Sequence, residues 1–247
     1  MDVRRMPEKV KAACDAVYPL MLKRGIPANP RGSVFLPLHM PTFMREKDFA
    51  ELWWPSFKRM VDEYASMGFH CKLLCEHDWM RYLDYIADLP TDTMMTFELG
   101  DPKLVKEKLG KKHILMGMYP IMNLKTKTRR ECVDEVKRYL DILAPGGKYI
   151  FGFDKNPLLF SDIDLENLKA VTETVRDYGV YHNAGETAGL AFRKEDYAAT
   201  AWTMPKSRYY KSWDEYRAAD PEVSEFGRAR LQGLEDTVFN YLVYLLL

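Results

Sequence analysis

The sequence predicts an α/β fold of the (β/α)8 TIM-barrel type, with the C-terminal five β/α units present and a helical tail after them. Three observations predict it. Short apolar runs alternate with longer segments of three-and-four apolar spacing, five times in succession. The short runs are continuously apolar, as expected of parallel strands covered by helices. No glycine-rich dinucleotide fingerprint or P-loop follows any of them, so nucleotide binding has no motif behind it. An open five-stranded sheet is the competing architecture.

The first recognisable element, Glu8 to Arg24, is a helix with no strand before it. Ser33 to His39 is the first strand. Met44 to Met67 is a helix with one apolar face (Phe49, Leu52, Trp53, Phe57, Met60, Val61, Tyr64), bent or divided at Pro55 and ended by Gly68. Cys71 to Glu76 is the second strand, followed by a helix over Trp79 to Ala87. Thr93 to Phe97 is the third. Asp101 and Pro102 then read as N-cap and first helical position of a helix ending at Leu109. His113 to Met118 is the fourth strand, and Thr128 to Leu143 its helix, broken by Pro145-Gly146-Gly147. Lys148 to Phe153 is the fifth strand, and Asp164 to Tyr178 the helix that follows. Beyond about residue 183 the rhythm changes. Residues 1–183 are therefore assigned to the barrel, and 184–247 to a helical extension packed on it, with a long helix from about Pro221 to Leu247.

Composition narrows the function. The 36 basic and 36 acidic side chains cancel, which argues against a nucleic-acid partner. No apolar run approaches the roughly 18 to 20 residues of a membrane span, and no signal-peptide core follows the N-terminus. Four cysteines in 247 residues do not make a disulfide framework. These features together predict a soluble cytoplasmic protein.

Five segments in order carry a resemblance. They are Phe35-Leu36-Pro37-Leu38-His39 with Phe49 to Pro55 (FAELWWP), Leu73 to His77 (LLCEH), Gly117-Met118-Tyr119-Pro120, Pro145 to Phe151 (PGGKYIF), and Glu166-Asn167-Leu168-Lys169-Ala170. Over about residues 33 to 178 the chain resembles the uroporphyrinogen decarboxylase superfamily, (β/α)8 barrels with their site at the C-terminal strand ends. The pattern is closest to the family's corrinoid-dependent methyltransferases. The resemblance implies transfer of a methyl group from a small methylated substrate, an aryl methyl ether or a methylamine, to a corrinoid carried by a partner protein, with zinc as an optional Lewis acid. Decarboxylation of an acidic tetrapyrrole is the alternative, and so is a partial, non-catalytic module completed by an N-terminal half-barrel chain or by another copy of itself. The thiol-methylating relatives hold zinc through His-x-Cys and a later Cys. Here Leu73 stands at the histidine position, Cys75 at the cysteine, and Asp154 at the later strand end.

In such a barrel the residues after each strand converge on one face. Glu76, His39 and His77 are the candidate acid–base residues, because a leaving oxygen or nitrogen must be protonated or polarised. Cys75, Glu76 and His77 are the candidate metal ligands. Met118, Tyr119 and Asp154 are the candidate cofactor contacts. Cys71, His70 and His113 are read as structural, His182 has no assigned role, and Trp53, Trp54 and Phe57 are read as helix packing.

Overall fold

The computed structural model describes residues 2–27, 32–180, 192–197, 213–219, 221–222 and 227–228. The chain divides into two units, Met1–Trp202 and Thr203–Leu247. In the second, the described residues include one short helix, Trp213–Ala219. Most of the predicted tail helix, and His182, lie outside the described residues.

Five strands form one parallel sheet in sequence order: β1 (Ser33–Leu38), β2 (His70–Asp78), β3 (Met94–Leu99), β4 (Ile114–Tyr119) and β5 (Tyr149–Phe153). Every neighbouring pair is parallel. This is the α/β arrangement of a partial barrel. Among the described residues β1 and β5 each pair on one side only.

The helix starts follow from their caps. Asp101 accepts from the Lys103 N–H at 2.8 Å and opens the Pro102–Leu109 helix. Thr128 and Glu131 close a capping box on the Arg129–Leu143 helix. Asp164 accepts from the Glu166 and Asn167 N–H groups and opens the Leu165–Tyr178 helix. Gly68, at φ +86°, ends the Trp54–Ser66 helix, as its backbone freedom allows.

One predicted helix is built differently. Met44 to Met67 is not a single bent helix. A short helical turn (Glu46–Asp48) runs into a π-helical turn (Phe49–Trp53) and then into the Trp54–Ser66 helix. Pro55 has no N–H to give the carbonyl of Glu51, and its ring crowds that carbonyl. Widening the turn relieves both, and Trp54 N–H accordingly bonds the Phe49 carbonyl. The turn brings Phe49, fully buried, onto Tyr82, with ring centroids 3.9 Å apart, and Trp53 stacks on Phe57 at 4.3 Å. These aromatics are packing, as expected.

The sheet has two unlike faces, because successive side chains on a strand point opposite ways. On β2, Cys71, Leu73 and Cys75 face the helices and are buried with Val34, Leu38, Met95, Phe97 and Leu115. Lys72, Leu74 and Glu76 face the other way and remain partly open. The core therefore lies between sheet and helices, and the inner face is the uncovered one among the described residues.

Candidate functional site

The C-terminal strand ends gather a polar cluster. His39, one residue past β1, bonds through Nδ1 to Glu76 Oε2 on β2. Both side chains reach solvent, the imidazole at 46% and the carboxylate at 28% exposure. The indole N–H of buried Trp79 donates to the Glu76 carbonyl at 2.8 Å, anchoring the end of β2. A second pair forms beside the first. Lys155 Nζ lies 2.9 Å from Glu98 Oε1, and the His77 backbone N–H donates to Glu98 Oε2 at 3.0 Å. These bonds, first that of His77 and then that of Lys155, hold the Glu98 carboxyl below the usual carboxylate range. The same pairing raises Lys155.

His77 has φ +61°, in the left-handed region that a side chain of this size rarely enters, and the β2–β3 register shifts between Cys75 and Asp78. The bulge turns the His77 side chain out of the strand alternation. Its ring meets the edge of Phe43 at 5.0 Å. Met118 is likewise left-handed, at φ +72°, next to Gly117 at +74°. A Cβ on Gly117 would lie 2.6 Å from the Phe153 carbonyl oxygen, so β4 and β5 can close here only with glycine.

The predicted acid–base residues therefore share one end of the sheet, and His39 and Glu76 are in direct contact. The predicted metal ligands are not brought together. Cys75 is fully buried on the helix-facing side, opposite to its neighbour Glu76, and burial drives its thiol far up. Among the described residues no group of three or more His, Cys, Asp or Glu side chains could hold a metal ion. The set Cys75, Glu76 and His77 does not fit zinc, because adjacent strand residues point to opposite faces.

The predicted cofactor contacts are turned inward as well. Tyr119 is fully buried and donates to the Cys132 carbonyl at 3.2 Å. Asp154, also buried, accepts from the N–H groups of Ile121 and Lys155, both at 2.9 Å. Met118 is buried with them. These three brace the β4 and β5 ends and do not fit as a cradle for a corrinoid. Asp154 does not pair with the Lys155 ammonium, which reaches Glu98 instead.

Glu98 and Lys155 follow predicted strands and so belong to the strand-end face, but neither is among the candidate site residues read from the sequence. Their pairing joins residues 57 apart in sequence, a separation no local pattern shows. The only local signal is a lone charge at the end of the apolar run Met94 to Phe97.

The structural histidines sit elsewhere. His113, at the start of β4, is fully buried, and its Nε2 is 3.1 Å from the Ala87 carbonyl. Desolvation lowers it to about 4, so it is neutral. His70 packs against Phe192 at 4.3 Å. Burial pushes the Cys71 thiol up to about 12.

A parallel sheet with a polar cluster at its C-terminal strand ends defines a barrel-class protein of the kind whose sites lie on that face. The family model for uroporphyrinogen decarboxylase (URO-D) matches residues 3–178, and the chain belongs to that family. The match covers all five strands and reaches back through the Pro7–Gly25 helix, which the resemblance had left out. Members of the family are generally enzymes. No curated protein matches the chain. No helix among the described residues is long and apolar enough to cross a membrane.

Proposed function

We propose that the chain is a methyltransferase component that takes a methyl group from a small methyl ether or methylamine and passes it to a corrinoid carried by a partner protein. The observation that carries this reading is the His39–Glu76 pair at the strand ends. Breaking a methyl–oxygen bond leaves the oxygen negative unless a proton arrives as the bond lengthens. Glu76 accepts from Nδ1, which fixes the ring and leaves Nε2–H as the edge that donates to the leaving oxygen or nitrogen. The methyl–oxygen bond breaks, the proton moves from Nε2 to oxygen, and solvent at the half-exposed ring restores it. The reduced corrinoid supplies the nucleophile when bound, and none of this chain's described residues is assigned to hold it. Glu98 is pinned by Lys155 and the His77 N–H, which fixes the β2 end from which Glu76 reaches His39.

The decarboxylase alternative calls for arginines lining the site. Arg81, in the segment after β2, instead donates to the carbonyls of Thr42 and Met44 and lies over the Tyr82 ring. The test is methyl transfer from an aryl methyl ether or a methylamine to cob(I)alamin, followed by absorbance. The expected result is turnover that His39→Ala and Glu76→Gln each reduce about a hundredfold. Turnover unaffected by both substitutions, or efficient decarboxylation of uroporphyrinogen, overturns the reading.

A further inference from the structure

Among the described residues, the inner face of the sheet carries one charge that no partner meets. Strand register aligns Phe35, Lys72, Met94 and Ile114 across β1 to β4. The next level up on the same face holds Leu74 and Met116, with Thr96 between them. The level above that holds the carboxylates Glu76 and Glu98. Each of the upper charges is paired, Glu76 with His39 and Glu98 with Lys155. Lys72 has no hydrogen-bond or ion-pair partner among the described residues. Its neighbours on the face are apolar, and Phe35 is 55% exposed.

From this juxtaposition we infer that the inner face binds an organic anion lengthwise, its carboxylate on Lys72, its apolar body over Leu74, Met94 and Met116, and its reacting end at the His39–Glu76 pair. Three physical facts set the orientation. An ammonium on an apolar surface gains most from a counter-ion that shares its desolvation. The charges at the upper end are already paired, His39 with Glu76 and Lys155 with Glu98, so the unpaired cation lower down is the stronger draw and the charged end points down. The four residue steps from Lys72 to Glu76 span roughly 13 Å of strand, room for a one- or two-ring body between the side chains. The inference names the substrate class of the site proposed above, an aryl methyl ether bearing a carboxylate. It rests on that reading for which end reacts, whereas the binding stands on the face alone.

A matched fluorescent pair tests it: 6-methoxy-2-naphthoate and 2-methoxynaphthalene, which differ only in the carboxylate. Binding to the full chain is titrated without any methyl acceptor, so an inactive protein still answers and a failure here is separate from a failure of methyl transfer. The expected result is that the acid binds about tenfold more tightly than the neutral ether, the size of one charge-assisted contact. Lys72→Met should bring the two within about twofold of each other, and Lys72→Arg should keep the preference. Met94→Glu, across the β2–β3 pairing from Lys72, supplies a carboxylate and should abolish the preference by a second route. Circular dichroism checks that each variant is folded. Equal affinity for both molecules in the unmodified chain overturns the inference. So does a Lys72→Met variant that still prefers the acid, or one that loses the neutral ether to the same extent.

Discussion

The two ends of this sheet are built from the same parts and put them to different uses. Each end has two non-glycine residues in the left-handed region: Asp92 and Lys148 at the N-terminal end, His77 and Met118 at the C-terminal end. Each has a lysine–carboxylate pair. Lys148 Nζ is 2.6 Å from Asp92 Oδ1, with side-chain exposures of 12% and 24%, whereas Lys155, half-exposed, is 2.9 Å from Glu98. Each has a histidine. His113 is buried, neutral and bonded to a backbone carbonyl, whereas His39 is open to solvent and bonded to a carboxylate. Similar residue types thus give a latch at one end and an open polar surface at the other. What differs is the access of water. Burial makes a charge expensive and keeps the inner histidine neutral, while exposure leaves the outer one open to water and to a ligand.

The sharpest way to break the comparison is to remove one histidine from each end. His39→Ala should lower methyl transfer about a hundredfold and leave the thermal midpoint nearly unchanged. His113→Ala should do the reverse, and a His39→Ala variant with full turnover would dissolve the distinction. Next in size is Gly117→Ala. The added Cβ would meet a backbone oxygen at 2.6 Å on a residue at φ +74°. It should destabilise the fold by about 3 kcal/mol in urea unfolding.

The third prediction concerns pH. His113 has an ordinary value of 6.5 and a folded value of about 4. Between these, the unfolded chain has taken up a proton and the folded chain has not, so stability falls as the pH is lowered through this window. The loss should approach roughly 3 kcal/mol near pH 4. A His113→Phe variant should lose that part of the slope, and an unchanged slope would place the acid sensitivity in other groups. The smallest effects come from the two ion pairs. Lys148→Met should cost about 1–2 kcal/mol, because it leaves Asp92 half-buried without its partner. Lys155→Met should cost less than about 1 kcal/mol, since that pair is well solvated. Its larger effect should be on turnover, through the freed Glu98.

Much of this was legible in the chain. Asp101, Thr128 and Asp164 announce their helices because an N-cap is a local bond, two or three residues long. The five apolar runs mark five strands for the same reason. Cys75 is the instructive failure. The alternation Cys71, Leu73, Cys75 against Lys72, Leu74, Glu76 was already present in the sequence, and it assigns Cys75 and Glu76 to opposite faces. Grouping the two as ligands of one metal overlooked that period. His77 escaped it through a bulge that no residue pattern signals.

The sequence by itself determined the strand and helix order, the helix caps and the family, because each rests on short-range backbone chemistry or on a run of residues read in order. Only the tertiary structure decided that Glu98 meets Lys155, that Asp154 braces a loop, and that Lys72 stands on an apolar face with no partner among the described residues. Those facts depend on which strands lie side by side and at what register. Register is set by packing across the whole sheet, so no single segment of the chain carries it.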